Sequence, residues 1–310
     1  MFASAALLAA AQLNPVVVPF GRAPRVIEQP IAPIQTAGPL WANRCKDWDE
    51  WTKPAPPVRI HANTYLVGTC GISSILITGS DGDILIDGGP QEAADFVADN
   101  IRALGVRLQD IRYILTSHEH FDHVGGIAKL QELSGATVIT SAPGARVIAS
   151  GTPAADDPQA GVLKSFPAAK VGRVVGDGEE VRLGNLMLTA MTTPGHTPGA
   201  LSWRWVSCDG GVCRTIVYAD SLHAVSNDGY RFSDHPAYVA AFRASIAKIA
   251  ASPCEILLTP HPSASGMPTR LAAGKPLLDP DACRNYAAQL TRDLDDRLAK
   301  EAAARPARKP

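Results

Sequence analysis

Three of the chain's eight histidines fall within six residues, in Thr116-Ser117-His118-Glu119-His120-Phe121-Asp122-His123. That cluster constrains the backbone as much as the chemistry. On a helix, positions two apart lie about 200° apart, which would splay His118 from His120. On an extended segment they point the same way. A strand-like run ends at Leu115, and Gly125-Gly126 leads into a helical pattern. The cluster therefore reads as an extended strand-end loop. His118 and His120 share one metal, and the adjacent Asp122 and His123 face a second position. Imidazole with carboxylate suits zinc. Glu119 and Phe121 should point away, into the supporting structure.

Two further histidines occupy similar settings. His196 lies in Thr193-Pro194-Gly195-His196-Thr197-Pro198-Gly199 and His261 in Leu258-Thr259-Pro260-His261-Pro262. Both loops follow strand-like runs and are tightened by Pro and Gly, where site residues concentrate. With the cluster they complete six ligands, three per metal, and each zinc keeps an open position for water, as catalytic zinc does. His61 and His235 read as surface or packing residues.

The surrounding pattern supplies strands to hold such loops. Residues 64–67, 73–78, 83–87, 112–115 and 137–141 read as strands, with helices over 91–104, 125–133 and 142–150. In the second half, strands are expected at 171–175, 180–183, 186–191, 201–208, 213–218 and 256–259. Helices are expected at 236–251 and 280–298. Each half runs from antiparallel-style strands into strand–helix alternation. That favours an α/β fold with two sheets and helices outside, a four-layer αβ/βα sandwich, as one domain over residues 55–300. Apolar residues make up 46% and charged residues 19%, with a formal net charge of −1. This excludes full-length disorder and gives no reason to expect a nucleic-acid or anionic-membrane partner. No apolar run reaches about 18 residues, so no membrane span is expected.

Residues 1–11 read as a signal peptide, with small residues Ala9-Ala10-Ala11 before a cleavage point near Gln12. Residues 12–54 read as an extended, Pro-rich leader, and 301–310 as a frayed tail. The six cysteines are Cys45, Cys70, Cys208, Cys213, Cys254 and Cys283. None forms a Cys-x-x-Cys pair, and the even count in an exported chain suggests three disulfides. Cys208 and Cys213 flank the turn residues Asp209-Gly210-Gly211 and are expected partners. Three pairings remain open for the other four.

The run His118-x-His120-x-Asp122-His123, followed by the loop residues His196 and His261, resembles the metallo-β-lactamase superfamily over roughly residues 55–290. Asp87-Gly88-Gly89 resembles that family's early Asp, which supports the metal loop without binding zinc. Tyr218-Ala219-Asp220-Ser221-Leu222 looks like the subclass B3 segment, where Ser replaces the zinc-binding Cys of subclass B1. The run from Leu257 to Ser265 and the cysteine positions are similar to a three-disulfide subset of B3. The resemblance implies the pairs Cys45–Cys70 and Cys254–Cys283. It implies His118, His120 and His196 on the first zinc, and Asp122, His123 and His261 on the second. Ser221 would hold water or the substrate carboxylate. His223 stands where the family often places a Ser or Thr that contacts the same carboxylate.

The implied activity is that of a periplasmic, monomeric enzyme carrying two zinc ions and conferring antibiotic resistance. It would open the β-lactam ring of penicillins, cephalosporins and carbapenems with a zinc-bound hydroxide, oriented by the catalytic Asp122. No Gly-x-Ser-x-Gly elbow appears, which argues against an acyl-enzyme. A same-fold thioesterase or lactonase, glyoxalase-II-like, is the nearest alternative, because those relatives often bridge the metals with an Asp near Asp220-Ser221. The sequence leaves open which of the two faces the metals. A non-enzymatic zinc-binding periplasmic protein would not need Asp122 beside open coordination positions.

Overall fold

The computed structural model describes residues 32–46 and 49–304. The expected signal peptide, the leader up to residue 31 and residues 305–310 lie outside them. The first sheet runs in spatial order through β1 (Val58–His61), β2 (Thr64–Leu66), β3 (Ile75–Ile77), β4 (Asp83–Ile86), β5 (Ile111–Leu115), β6 (Thr137–Thr140) and β7 (Val171–Val174). The second contains β8 (Glu180–Leu183), β9 (Leu186–Thr192), β10 (Leu201–Asp209), β11 (Val212–Tyr218) and β12 (Ile256–Leu258), with β12 at one edge and β8 at the other. The segment 171–174, read with the second-half strands, instead closes the first sheet in parallel with β6.

Strand alternation builds the layers. Ile75, Ile77, Ile84 and Ile86 face the core between the sheets, while Leu76 and Leu85 face the outer helices. Ile216, Tyr218, Ile256 and Leu258 face the same inner core from the second sheet, and Val217 and Leu257 face outward. Both faces are buried, so these strands read as continuous apolar runs. Helices α2 (Ala94–Ala103), α4 (Ile127–Ser134) and α5 (Ala142–Ser150) cover the first sheet, with the short turn α3 (Phe121–Val124) ahead of α4. Helices α6 (Pro236–Ala251) and α8 (Ala282–Ala303) cover the second. This is the expected four-layer αβ/βα sandwich.

Two boundaries differ from expectation. The leader is not extended throughout: Ile34–Arg44 forms helix α1, which packs with α7 (Met267–Ala272) into the inner core. Ile34, Ala37 and Trp41 lie on one helical face, and Trp41 is fully buried. Burying that face outweighs the hydrogen bond that Pro39 cannot donate. At the other end, α8 continues through Ala303 rather than fraying at 301, because Glu301 accepts the N–H groups of Phe232 (3.1 Å) and Ser233 (2.8 Å).

Disulfides join Cys45 to Cys70, Cys208 to Cys213 and Cys254 to Cys283. The site is positioned by two parallel pairs. β4 pairs with β5 (Ile86 opposite Leu115), and β11 with β12 (Tyr218 opposite Leu258). The four loops leaving these strands therefore open at one end of the sandwich, carrying Asp87, His118, Asp220 and His261. The connection between antiparallel β9 and β10 brings His196 to the same end. There Leu201 N–H bonds Ser117 O at 2.6 Å, joining the loops of the two sheets.

Candidate metal centre

Asp87 begins the support. It adopts a left-handed φ of 62° and is completely buried. Its carboxylate accepts Ser117 N–H and Ser117 Oγ–H, both at 2.7 Å, and Tyr218 Oη–H at 2.8 Å. Burial pushes its pKa up to about 6 against the pull of His123 and these donors. A strained backbone held by three hydrogen bonds fixes the start of the histidine loop. Gly126 lets the chain pass close by: a Cβ there would fall 2.3 Å from Gly88 O.

The cluster is not extended throughout. His118 to His120 is, but His120 caps α3, so Asp122 and His123 sit on a helical turn. Ligand atoms of His118, His120 and His196 lie within 4.8 Å of one another, as do those of His118, Asp122 and His123. His261 closes the second group: Asp122 Oδ2 is 3.1 Å from His123 Nε2, His123 Nε2 is 3.3 Å from His261 Nε2, and His261 Nε2 is 3.5 Å from Asp122 Oδ2. The His118 and His123 rings, 4.2 Å apart between centroids, put the groups side by side. All six side chains named from the sequence thus converge.

In the first group each ring has an inner and an outer nitrogen. His118 Nδ1 is 2.7 Å from Asp220 Oδ1, His120 Nε2 is 3.0 Å from Asp157 Oδ2, and His196 Nδ1 donates to His223 O at 2.9 Å. The other nitrogens, His118 Nε2, His120 Nδ1 and His196 Nε2, are the ones available to a metal, with Gln159 Nε2 3.5 Å from His196 Nε2. His118 Nε2 is fully buried with no hydrogen-bond partner. Burial first, then the neighbouring imidazoles, holds His118 and His196 well below the ordinary histidine value. Burial alone would raise Asp122 and lower His123, but their attraction reverses both, keeping Asp122 ionised and His123 above its usual range. The imidazoles of His118 and His196, held neutral, beside the ionised carboxylate of Asp122 fit a divalent cation.

Several functional groups escaped the sequence reading. Asp157 lies in the irregular 151–170 stretch. His223 acts through its main-chain carbonyl, turned toward His196 by Leu222, which is buried at a left-handed φ of 45°. No side-chain pattern signals that. The His223 ring packs 6.2 Å from the Tyr286 ring, and burial lowers its pKa. Ser221 Oγ is buried without a partner. Trp51 forms an outer rim, 5.6 Å from the His261 ring and 6.0 Å from Phe121. Ser245-Ile246-Ala247-Lys248 has the Ser-x-x-Lys spacing of acyl-enzyme nucleophiles. However, Ser245 Oγ is bonded to Pro194 O and Ala241 O, and Lys248 to Asp177 and Thr192 O. His61 and His235 take no part in either group.

Residues 67–261 match the metallo-β-lactamase superfamily. The chain belongs to that superfamily. Among solved structures, the metallo-β-lactamase MIM-2 is 54% identical, with a TM-score of 0.83 over 86% of this chain and 98% of its own. MEM-A1, a subclass B3 metallo-β-lactamase from a soil metagenome library, is 44% identical, with a TM-score of 0.80 over 83% of this chain and all of its own (100%). The hydroxyacylglutathione hydrolase of Methylococcus capsulatus is 30% identical over 120 residues, 38% of this chain and 39% of that protein. The chain spans half or less of the length of the first curated relatives it matches. The two candidate ligand groups sit where strand-end loops from the two sheets meet.

Proposed function

We propose that the protein is a dinuclear zinc β-lactamase of the subclass B3 kind, opening the ring of penicillins, cephalosporins and carbapenems. His118, His120 and His196 hold one zinc; Asp122, His123 and His261 hold the other. When bound, zinc supplies Lewis acidity and lowers the pKa of water to about 7. Asp122 orients the attacking water and relays its proton to the departing ring nitrogen. Ser221 Oγ, buried and unpartnered, donates to the substrate carboxylate or a water beside it. His223 lies at the edge of the same subsite.

The observation that carries this reading is the Asp220–His118 hydrogen bond. Asp220 stands behind His118, with Oδ1 spent on Nδ1, and belongs to neither group of three ligand atoms. A thioesterase that bridges its metals with this Asp needs the carboxylate turned inward; here Oδ1 is committed to His118, and Asp220 Oδ2 and Ser221 Oγ are both buried without a hydrogen-bond partner. The likeness to solved lactamases spans nearly their whole length, whereas that to the hydroxyacylglutathione hydrolases is partial.

Three disulfides fit an oxidising compartment, and among the described residues no helix is long and apolar enough to cross a membrane. The disulfides support the proposed place of action, the periplasm, reached through an N-terminal export segment, and the protein is further proposed to act as a monomer. The test is to assay purified protein against a penicillin, a carbapenem and a glutathione thioester, with metal analysis alongside. Ring opening that a chelator abolishes, with close to two zincs per chain, is expected. Preferential thioester hydrolysis would overturn the assignment.

A further inference from the structure

Of the three outer ring nitrogens in the first group, two meet groups on the strand-end loop after β11, Asp220 and the His223 carbonyl. The third meets Asp157, which belongs to no strand or helix. Asp157 is 2% exposed, with Oδ2 3.0 Å from His120 Nε2. Its Oδ1 accepts Gln159 N–H at 2.7 Å. The segment is fastened across the site: Asn227 N–H donates to Pro158 O (2.9 Å) and Asn227 Nδ2 to Ala160 O (2.8 Å). The loop around Asn227 is gripped in turn by Arg297 of α8, which donates to Ala224 O, Ser226 Oγ and Tyr230 O. An irregular segment anchored through Asn227 thus delivers one carboxylate to one imidazole.

We propose that Asp157 is the positioning residue for His120. It accepts the Nε2 proton, fixes the ring with Nδ1 turned inward, and so sets the affinity of the first metal position. A buried carboxylate on the far nitrogen selects the tautomer, blocks a half-turn of the ring, and raises the donor strength of the near nitrogen. Without it, Nε2 loses its partner and Nδ1 loses its fixed aim. Partners of this kind typically change metal affinity by about 10–100-fold. The proposal rests on His120 being a metal ligand, as in the function proposed above.

The test reads metal binding, not turnover. Zinc affinity of the full-length protein is measured by competition with a chromophoric chelator, and the visible spectrum is followed as cobalt is titrated in. Asp157→Ala should weaken one of the two ions by about 10–100-fold, leave the other close to wild type, and alter the cobalt spectrum of the weakened site. Asp157→Asn, which keeps an acceptor oxygen but no charge, should recover part of the loss. Asn227→Ala, which loosens the segment without touching His120, should give a smaller loss in the same ion. If Asp157→Ala proves insoluble, Asp157→Asn and Asn227→Ala carry the test alone. Wild-type zinc affinity and cobalt spectrum in the soluble variants, whatever their melting temperatures, would overturn the proposal. A wild-type chain that binds no divalent ion would overturn it together with the metal reading, so the two failures are distinguishable.

Discussion

The carboxylate of Glu119 accepts Thr197 Oγ1–H at 2.9 Å, and its other oxygen accepts Gly199 N–H at 2.9 Å. One buried side chain thus ties the loop bearing His118 and His120 to the loop bearing His196. Residue 199 must be glycine for this, since a Cβ there would lie 2.6 Å from both Glu119 oxygens. Burial pushes Glu119 up to about 7 even against the Thr197 hydrogen bond.

Glu119→Ala should therefore lower stability by about 2–6 kcal/mol, since two buried donors lose their acceptor at about 1–3 kcal/mol each. Urea denaturation measures it. Asp122→Ala should show the opposite balance, with a near-complete loss of hydrolysis and of one metal but a smaller loss of stability in metal-free protein. Equal effects of the two variants on metal content would contradict the division between strut and ligand.

His223 is expected to act on substrate through its ring and on His196 through its carbonyl. His223→Ser leaves the carbonyl in place, so zinc content should not change, while KM for carboxylate-bearing β-lactams should shift more than kcat. Burial holds the imidazole below its ordinary value of about 6.5, so any gain of charge, and any pH dependence of KM it causes, falls on the acid side of that value. A pH series of KM for wild type and variant checks this. Loss of a zinc from the variant would instead make His223 itself a ligand.

The Cys45–Cys70 bridge closes a separation of 25 residues and fastens α1 beside the segment that presents Trp51, whose carbonyl accepts Thr69 Oγ1–H at 2.7 Å. The paired substitution Cys45→Ser with Cys70→Ser should cost about 3–4 kcal/mol on the chain-entropy estimate. The hairpin-tip pair Cys208–Cys213, with a separation of 5, should cost about 2. Thermal or chemical denaturation ranks them. A larger loss at the hairpin would contradict that order.

Glu301 supplies a pH test far from the metal centre. Burial would raise its pKa, but the N–H groups of Ser233 and Phe232 and the Arg297 guanidinium outweigh that and hold it below the ordinary carboxylate range. The folded pKa lies below the unfolded one, so its stabilisation is complete above the unfolded value of about 4.3 and disappears as pH falls through the folded value. At neutral pH, Glu301→Gln should lose about 1–2 kcal/mol, and the gap to wild type should close in acid. Denaturation midpoints between pH 3 and 7, on the order of one measurement per unit, read it out; a constant gap would exclude the carboxylate charge as the source.

What the sequence determined alone was local. His118-Glu119-His120-Phe121-Asp122-His123 states its ligands because they are neighbours and because the extended stretch from His118 to His120 aligns positions two apart. The strand runs and helix α6 follow from periodicity, and Cys208–Cys213 from the turn it spans. Other features were decided by the tertiary structure. Asp220 could face the metals or stand behind His118, and only the meeting of the loops that leave the two sheets sets its Oδ1 2.7 Å from His118 Nδ1. Asp157 carries no local pattern, because its meaning comes from a contact 37 residues back along the chain. The His223 carbonyl could not be read at all, since every residue has one and only the left-handed turn at Leu222 aims it. Helix α1 was hidden by its prolines, whose local preference is overruled by the buried face of Ile34, Ala37 and Trp41. Side-chain chemistry and periodicity are written along the chain; the partners that give a side chain its orientation are chosen through space.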